Sequence, residues 1–473
     1  MEVTANTTKR VVVIGAGASG LGAARWLVDN DSSNLLDVHV VEARGRAGGR
    51  VHTASEEAGS ENADALGLFD MGASWLHDPG PTNPISVMAD TLKAPLLITD
   101  FDDDIAYDLK GNKHSDRQAT AEYVAFEKAL FRTAVKARKS QATDLSLEEA
   151  VKKNLGGCQW TRPLTQLYAA GMDFELGAPL YKCSSTECID AEWLAAKREG
   201  DCDEEHDPIF PTTGFARIPI TFNAPVVSIE QRIGDGTGGD ATRKCTVTAM
   251  KKFEGSDVPV AWEADAVICT VPIGVLKAGS IEFIPELSSD KRHAVEATGV
   301  GNVVKVVMEF PTVFWDTHVT FMGIADAELC SDSTSPAVAN EGTQQRGLCT
   351  LFLNGHKTCK KKILVTYATG DGADMVDRMT DEQLLSLCMS RVNCLARPGQ
   401  RVPQPTRFVR SRWADDPYAM GAYSYWAKGN RPGLREYLKR PEGVVWFAGE
   451  AMHETSLLSS SVCGAWMSGV SAA

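Results

Sequence analysis

Residues 10–20, Arg10-Val-Val-Val-Ile14 followed by Gly15-Ala-Gly-Ala-Ser-Gly20, decide the fold. The first five residues form a β-branched run without polar alternation, which is typical of a strand buried on both faces of a parallel sheet. The glycine-rich turn leads into a helical pattern, Leu21 to Val28, and then into a second buried strand, Val38 to Val41. Parallel strands joined by a helix predict an α/β protein built around a parallel sheet.

The spacing of the glycines indicates a dinucleotide site. In this pattern Gly15 permits the tight turn, Gly17 lets the backbone approach a pyrophosphate, and Gly20 lets the helix pack closely on the strand. The helix N-terminus also attracts the negative diphosphate. Glu42 ends the second strand, 22 residues after Gly20, where a carboxylate accepts hydrogen bonds from a ribose diol. Because the same carboxylate repels a 2′-phosphate, an NADP-type ligand is disfavoured.

The strand-then-glycine pattern recurs far along the chain. Residues 263–271 and 444–450 are further apolar strands, and the second of them runs into Gly449. Between residues 100 and 205 the pattern is mostly helical, and Ser146 with Glu149 forms a capping-box signal there. One sheet assembled from distant segments explains this order better than three independent domains. We therefore expect a discontinuous nucleotide-binding domain with a second domain inserted into it.

Composition limits the class of protein and of ligand. The 473 residues are 43% apolar and 23% charged, as in ordinary globular proteins of two or three domains. A balance of 48 basic against 62 acidic residues argues against nucleic-acid binding and mildly favours cationic small molecules. Residues 1–10 lack the apolar core of a secretory signal, and no apolar run is long enough for a membrane helix.

The twelve cysteines are scattered without a CxxC pair, which argues against a zinc ribbon or a thioredoxin-like motif. Cys269 lies in an apolar run, as a buried free thiol does. These features favour a reducing, intracellular location. The cytoplasm is the expected compartment, with the peroxisome and the nucleus left open.

A second motif follows the ribose carboxylate directly. Residues 42–53 are Glu-Ala-Arg-Gly-Arg-Ala-Gly-Gly-Arg-Val-His-Thr, with paired glycines between arginines. Arg44 and Arg50 can neutralise diphosphate charge while Gly48 and Gly49 let the backbone close in. This segment resembles the one that follows the second strand in the flavin-dependent amine oxidase family, whose pattern is an acidic residue, then GGR, then Thr.

Four further segments resemble the same family, in the same order along nearly the whole chain. Residues 71–77 resemble its strand-loop that passes the flavin ring, and residues 270–276 resemble its strand end behind the cofactor. Residues 301–315 resemble the strand that bears the active-site lysine, and residues 411–469 resemble the C-terminal flavin cradle. The polyamine oxidases and the oxidase domain of lysine-specific histone demethylases are the most similar subgroups.

Lys305 is the candidate catalytic residue. It interrupts the apolar run Val303-Val-Lys-Val-Val307. A buried ammonium is costly unless partners compensate it, and the alternative is a lysine that extends from an edge strand to solvent. The matching lysine of the family hydrogen-bonds a water at flavin N5. The resemblance therefore implies that Lys305 assists flavin reduction or the reaction of reduced flavin with oxygen.

The resemblance also implies the cofactor and the reaction. FAD is expected to be noncovalent, because Ala422 stands where monoamine oxidases carry the cysteine that bonds to flavin. An amine is oxidised to an imine, the imine hydrolyses to an aldehyde and an amine, and O2 is reduced to H2O2. Tyr423 matches one wall of an aromatic cage and is expected to contact the substrate. The residues expected to contact FAD are Gly15, Gly17, Ser19, Gly20, Glu42, Arg44, Gly49, Arg50, Gly72, Ala73, Ser74, Trp75, Val226, Trp413, Gly449, Glu450, Ser461 and Val462.

The expected fold class is α/β, with a discontinuous Rossmann-like FAD-binding domain of the GxGxxG type and an inserted α+β substrate-binding domain. Residues 1–95, 206–286 and 405–473 are assigned to the FAD-binding domain, and residues 96–205 and 287–404 to the substrate-binding domain. The expected partners are a small amine and O2, with no metal, nucleic acid or membrane.

The chain departs from the family pattern in three places. The second cage wall falls near Leu458, but residues 455–461 contain no aromatic side chain. Residues 219–225 replace a longer segment, although Val226 still fits the position whose backbone receives the adenine. The last helical pattern stops at Ala473, earlier than is usual, as expected of a trimmed member or an incomplete sequence.

Three alternatives stay open from the sequence. A histone demethylase resembles this chain in its oxidase domain alone and carries further chromatin-docking domains. A flavoprotein without turnover is consistent with the missing aromatic side chain near Leu458. A nicotinamide-dependent dehydrogenase leaves the GGR segment and Gly449-Glu450 unexplained. The sequence favours an FAD-dependent oxidase of a polyamine or a related secondary amine.

Overall fold

Strands from distant parts of the chain share sheets in the computed structural model. It describes residues 8–54, 69–77, 79–94, 96, 99–100, 103–114, 121–137, 144–155, 159–188, 218–233, 243–253, 255–325, 346–397, 399–430, 433–453 and 458–473. In these ranges the strands are β1 Lys9–Ile14, β2 Leu36–Val41, β3 Thr53–Ala54, β4 Phe69–Asp70, β5 Asp104–Asp108, β6 Ile220–Thr221, β7 Val226–Ile233, β8 Arg243–Phe253, β9 Ser256–Ala264, β10 Ala266–Cys269, β11 Glu282–Ile284, β12 Gly299–Val300, β13 Val303–Glu309, β14 Phe321–Ala325, β15 Leu348–Asn354, β16 Ile363–Thr369, β17 Arg407–Arg410, β18 Ser424–Tyr425 and β19 Val445–Phe447.

The α-helices of the same ranges, numbered in chain order, are α1 Ala18–Asn30, α2 Pro84–Leu92, α3 Ala121–Ala137, α4 Leu147–Leu155, α5 Pro163–Leu176, α6 Ile273–Lys277, α7 Ser289–Ala297, α8 Gly355–Cys359, α9 Asp371–Asp377, α10 Asp381–Val392, α11 Leu434–Lys439 and α12 Val462–Ala472. None of these helices is long and apolar enough to cross a bilayer.

A five-stranded parallel sheet has the order β19-β10-β1-β2-β6. β1 lies at its centre, where residues 11–14 are buried and pair with β10 on one side and β2 on the other. The predicted strands at residues 10–14 and 38–41 are thus confirmed, and so is the parallel α/β sheet. The β-branched run of β1 is continuous because both of its faces are covered.

Two predicted strands are wrong in their extent, and the one at residues 444–450 is only Val445–Phe447, because Glu450 begins a 3-10 helical turn. Residues 263–271 do not form a single strand: β9 ends at Ala264 and β10 begins at Ala266. β9 pairs antiparallel with β8, whereas β10 joins the parallel sheet. Asp265 separates them, and its carboxylate accepts the backbone N–H of Arg10 at 2.9 Å. The apolar pattern did not reveal the change of sheet, because both strands bury residues there.

A six-stranded, mainly antiparallel sheet has the order β17-β13-β16-β15-β14-β5. β13 lies inside it, between β17 and β16, and residues 303–308 are all buried. Lys305 therefore lies on an interior strand, and the alternative of a lysine extending from an edge strand is wrong. β17 belongs to this sheet, although the expected domain division groups its residues with the FAD-binding segments.

Helices α3, α4 and α5 pack together beside the six-stranded sheet. The predicted capping box of α4 is confirmed, since Glu149 accepts the Ser146 backbone N–H at 3.0 Å and Ser146 Oγ accepts the Glu149 N–H at 3.3 Å. A buried ion cluster joins α4, α5 and the start of β15. Arg346 donates to Asp173 at 2.7 Å and to Glu148 at 2.9 Å, with all three side chains at most 6% exposed.

The cysteines of the described ranges are free thiols. Cys269 is buried on β10, as expected, and burial raises the pKa of its thiol to about 11.

Replacing Arg346 with leucine is expected to lower the free energy of unfolding by about 3–5 kcal/mol, because two buried carboxylates lose their cation. Urea unfolding monitored by circular dichroism measures the loss. Lys428→Met is the control, since Lys428 and Glu149 form a surface pair with side chains 43% and 51% exposed. That change is expected to cost about 1 kcal/mol or less. Equal losses of unfolding free energy in the two variants would contradict the assignment of Arg346 as the cation that compensates the two buried carboxylates.

Candidate active site

A single cavity of about 1410 Å³ is lined by residues of both large sheets. It exceeds the roughly 300–1,000 Å³ that is typical of a pocket for one small ligand. The predicted site residues all line this cavity except Gly20. The structure therefore brings together residues that are more than 400 positions apart in the chain, such as Gly15 and Glu450.

The glycine turn after β1 has the geometry that its spacing predicts. Gly15 has φ +101°, a conformation that favours glycine. Gly20 lies in α1 against this turn, and a Cβ on Gly20 would lie 1.9 Å from the carbonyl oxygen of Gly15. The role of Gly20 is therefore to let α1 approach the turn, which explains why it does not line the cavity.

Glu42 holds the turn and the following loop together. Its side chain is 3% exposed and accepts the backbone N–H of Ala16 at 2.7 Å and that of Arg44 at 2.8 Å. A carboxylate has about four acceptor positions, so further donors can bind to it. Glu42 thus lies where a ribose diol is expected and is already fixed in place by the backbone.

The side chain of Ser19, in the first turn of α1, shows whether the residues present fit a bound dinucleotide. Its side chain is 5% exposed, and among the described residues no group hydrogen-bonds its buried Oγ. The N-cap residue of α1, Gly17, supplies no side-chain cap to the helix N-terminus. Buried polar atoms normally have partners, and helix N-termini bind phosphate. The residues present therefore fit the diphosphate of a dinucleotide such as FAD.

Two arginines of the segment after β2, Arg44 and Arg50, line the cavity. Arg50 donates to the Ala422 carbonyl at 2.9 Å and pairs with Glu450 at 3.0 Å. Arg44 pairs with Asp416 at 2.7 Å. Burial, followed by the nearby arginines, lowers the pKa of His52. Arg44 and Arg50 supply N–H donors that suit the phosphate oxygens of a diphosphate.

A second helix N-terminus faces the cavity from the C-terminal part of the chain. Ser461 caps α12 by accepting the Gly464 N–H at 3.0 Å, and Val462 follows in the cavity wall. Glu450 accepts the Ser424 hydroxyl at 2.6 Å, which ties its carboxylate to β18. These contacts fix the predicted C-terminal cradle in position.

Lys305 reaches across from β13 to residues 70–74. Its ammonium donates to the carbonyls of Asp70 and Gly72, both at 2.8 Å, and to the hydroxyl of Ser74. The side chain is 6% exposed. Its hydrogen-bond partners compensate the burial of its charge, so the lysine is held as a fixed cation at the cavity wall.

An aromatic wall lies beside this lysine. The ring centres of Phe174 and Tyr367 are 4.5 Å apart, and that of Trp75 is 5.7 Å from Phe174. Tyr423, the predicted cage residue, donates its hydroxyl to the Phe174 carbonyl. Burial, and then the charge of Glu175, raises the pKa of Tyr423 well above its usual value. The four rings form an aromatic wall of the cavity.

Sequence reasoning missed several residues of this wall. Phe174 lies in the last turn of α5, and Tyr367 is the cross-strand partner of Lys305 on β16. Neither lies in a motif, and only the pairing of β13 with β16 identifies Tyr367. Three carboxylates in the cavity lining were also missed: Asp100, Glu127 and Glu175. At the expected second cage wall, Ser459 and Ser460 line the cavity, whereas Leu458 packs against the core beside the parallel sheet.

Comparison with known proteins agrees with this geometry. A family model for flavin-containing amine oxidoreductases matches residues 18–473. The chain is 31% identical to a probable polyamine oxidase 4 of Arabidopsis thaliana, over 100% of this chain and 88% of that protein. It is 32% identical to polyamine oxidase 4 of Oryza sativa subsp. japonica, over 98% of this chain and 87% of that protein.

Two further similarities are more limited. A lysine-specific histone demethylase 1 homolog of Oryza sativa subsp. japonica is 29% identical over 97% of this chain but only 51% of that protein. Among solved structures, a putrescine oxidase bound to putrescine matches with a TM-score of 0.72 and covers 98% of both chains. At 17% identity, this match shows the fold alone.

Gly20→Ala is expected to abolish flavin binding, because the added methyl group would overlap the Gly15 carbonyl that shapes the turn. The measurement is the flavin absorbance of the purified protein relative to its protein absorbance. Gly80→Ala is the control, since a Cβ there meets no atom within 4 Å. A Gly20→Ala protein that keeps a full complement of flavin would contradict the proposed packing of α1 on the turn.

Proposed function

Because the chain belongs to the flavin-containing amine oxidoreductase family, we propose that it oxidises a polyamine with FAD as cofactor and O2 as electron acceptor. The single observation that carries this proposal is the position of Lys305 and the aromatic wall in the same cavity as the dinucleotide turn. A fixed cation, a wall poor in water and a dinucleotide site are the parts that flavin-dependent amine oxidation requires.

Polyamines are preferred to methylated lysine as the substrate class. The plant relatives named polyamine oxidase match over 86–88% of their own length, whereas the match to the demethylase homologs covers about half of theirs. The cavity lining adds Asp100, Glu127 and Glu175. Several carboxylates suit a substrate with several ammonium groups, since each distal cation needs a counter-charge when it leaves water.

The arrangement of sheets supports a two-part organisation, which we include in the proposal. The Rossmann-like part, containing the GxGxxG turn, is discontinuous, and an α+β part that contributes the substrate wall is inserted into it. The parallel sheet takes its strands from near residues 10, 40, 220, 268 and 446, and the six-stranded sheet takes its strands from residues between 104 and 410.

When bound, FAD would supply the redox chemistry, since a flavin can take a hydride equivalent from the carbon beside an amine nitrogen and pass the electrons to O2. The residues that would hold it are those around the glycine turn, the arginines of residues 44–50 and the N-terminus of α12. Ala422 lines the cavity with a methyl group, which cannot form a bond to the flavin from this position, so we propose that the cofactor is noncovalent.

The remaining side chains prepare the amine. The rings of Phe174, Tyr367 and Tyr423 exclude water, and the absence of water favours the neutral form of the amine, which is the form that loses hydride. The same rings orient the C–H bond of the amine. A carboxylate such as Glu175 holds a distal ammonium and sets the position of the reacting carbon. Lys305 supplies a fixed positive charge and N–H donors at the wall, and we propose that it assists flavin reduction or reoxidation.

The substrate class is tested by peroxide release from a panel of spermine, spermidine, N-acetylated polyamines and simple monoamines. Peroxide is expected from at least one polyamine with a kcat/KM at least tenfold above that of any monoamine. The physical reason is that several carboxylates line the cavity, and a monoamine has no distal ammonium to pair with them. A faster reaction with monoamines would contradict the polyamine assignment.

Glu175→Gln is expected to raise the KM for a polyamine by about tenfold, because one charge-assisted contact worth about 1.5 kcal/mol is lost. The KM for a monoamine should not change. Steady-state kinetics with both substrates measures the difference. Glu436→Gln, at a side chain 60% exposed on α11, is the control with the same change of charge. Equal effects in the two variants would show that net charge alone matters.

Lys305→Met is expected to lower the rate of flavin reduction or of reoxidation by roughly 100-fold, the scale of a positioned proton-transfer or charge-stabilising group. Rapid-mixing absorbance separates the two half-reactions. Lys291→Met is the matched control, since Lys291 is also buried and donates to two carbonyls, those of Leu438 and Arg440. Lys291 does not line the cavity, so its loss should reduce stability and leave both rates unchanged. Unchanged rates in Lys305→Met would refute the role.

A further inference from the structure

Asp416 contacts a largely buried cation of the predicted diphosphate site, Arg44. Its carboxylate lies 2.7 Å from the Arg44 guanidinium, and the two side chains are 24% and 13% exposed. The Tyr418 ring covers the same guanidinium, with 5.4 Å between its centre and the Arg44 Cζ. Arg44, Pro417 and Tyr418 line the cavity, whereas Asp416 is not among the lining residues.

Both partners are rigid. The Arg44 N–H donates to Glu42 at 2.8 Å, and its carbonyl accepts the Asn223 N–H at 2.9 Å. The second oxygen of Asp416 accepts the Tyr418 N–H at 2.8 Å, and its backbone carbonyl accepts the Met420 N–H at 2.8 Å. The ion pair therefore connects two fixed loops that are 372 residues apart in the chain.

The charges around Arg44 determine where its side chain can lie. Burial, and then the charge of Arg44, lowers the pKa of Arg46, and Asp416 acts in the opposite direction. His52 lies in the same field, where Asp416 again opposes the arginines. Like charges would push the Arg44 side chain away from Arg46. Asp416 opposes that displacement, because it attracts Arg44 from the other loop.

We propose that Asp416 is a positioning residue for the cofactor: it holds the Arg44 guanidinium at the cavity wall, where the guanidinium binds the diphosphate of FAD. The proposal rests on the assignment of FAD to this cavity. It does not depend on the identity of the amine, because it concerns the retention of FAD and not turnover.

Two physical effects of Asp416 have opposite signs, and this makes the proposal testable. If Asp416 acts only as a negative charge near the diphosphate, its neutralisation removes a repulsion and strengthens FAD binding. If it positions Arg44, its neutralisation weakens FAD binding. Asp416→Asn keeps the size of the side chain and an oxygen that can accept the Tyr418 N–H, so the turn is preserved.

The experiment measures the rate of FAD release from holoprotein after dilution, followed by the fluorescence of free flavin. Asp416→Asn is expected to release FAD about tenfold faster than the unaltered protein, the effect of losing one charge-assisted contact. Asp415→Asn is the matched control: Asp415 carries the same charge one residue earlier, is 61% exposed and lies 3.9 Å from Arg412. Its release rate should not change.

A double-mutant cycle separates positioning from a general loss of structure. In Arg44→Met protein, which lacks the guanidinium, Asp416→Asn should accelerate FAD release less than twofold further. Asp416→Glu keeps the carboxylate and should retain FAD better than Asp416→Asn. The glutamate variant also keeps the proposal testable where the asparagine variant folds poorly. The proposal is overturned by unchanged or slower release from Asp416→Asn, by additive effects in the cycle, or by equal release from the glutamate and asparagine variants.

Discussion

The hydrogen bonds of one buried ammonium connect the two halves of the active site. Lys305 extends from an interior strand of the six-stranded sheet and donates to residues 70–74. The backbone N–H groups of residues 71–73 in turn donate to the carbonyls of Arg50 and His52, in the segment after the dinucleotide motif. A buried charge must be compensated, so the strand and the loop cannot separate without exposing or orphaning these groups. The position of the substrate wall relative to the dinucleotide turn depends on this constraint.

Charged side chains of both signs line the cavity because of the segments that meet there. Arginines from residues 44–50 bring positive charge to the side of the glycine turn, while Asp100, Glu127 and Glu175 bring negative charge to the lining. An anionic diphosphate and a cationic amine each find side chains of opposite charge in the lining. The chain as a whole carries a net charge of −14, so the local cationic cluster is set by the motif and not by composition.

Short sequence patterns predicted the features that depend only on residues close together in the chain. The turn at Gly15, the buried strand before it and the carboxylate of Glu42 each follow from residues close in sequence, and the structure places them as expected. Lys305 was also recognisable, because an isolated lysine within a valine run needs partners. Those partners, carbonyls at Asp70 and Gly72, carry no side-chain signal and could not have been named from the sequence.

Features that depend on long-range pairing were not predictable. Tyr367 belongs to the aromatic wall because β16 pairs with β13 in the register that sets it opposite Lys305. Asp265 divides an apolar run between two sheets, and only the pairing partners of each half show this. Asp416 acquires a role through Arg44, which is 372 residues away. Sequence periodicity contains no information on such contacts, since it reports burial but not partners.

The measurement that tests the central claim most directly is anaerobic titration of the purified yellow protein with spermine and related amines. If the cavity joins FAD to a polyamine site, one polyamine will bleach the flavin absorbance fully, and admission of O2 will restore it with release of peroxide. A flavin that stays oxidised with every polyamine, in protein that retains its FAD and its fold, would contradict the account.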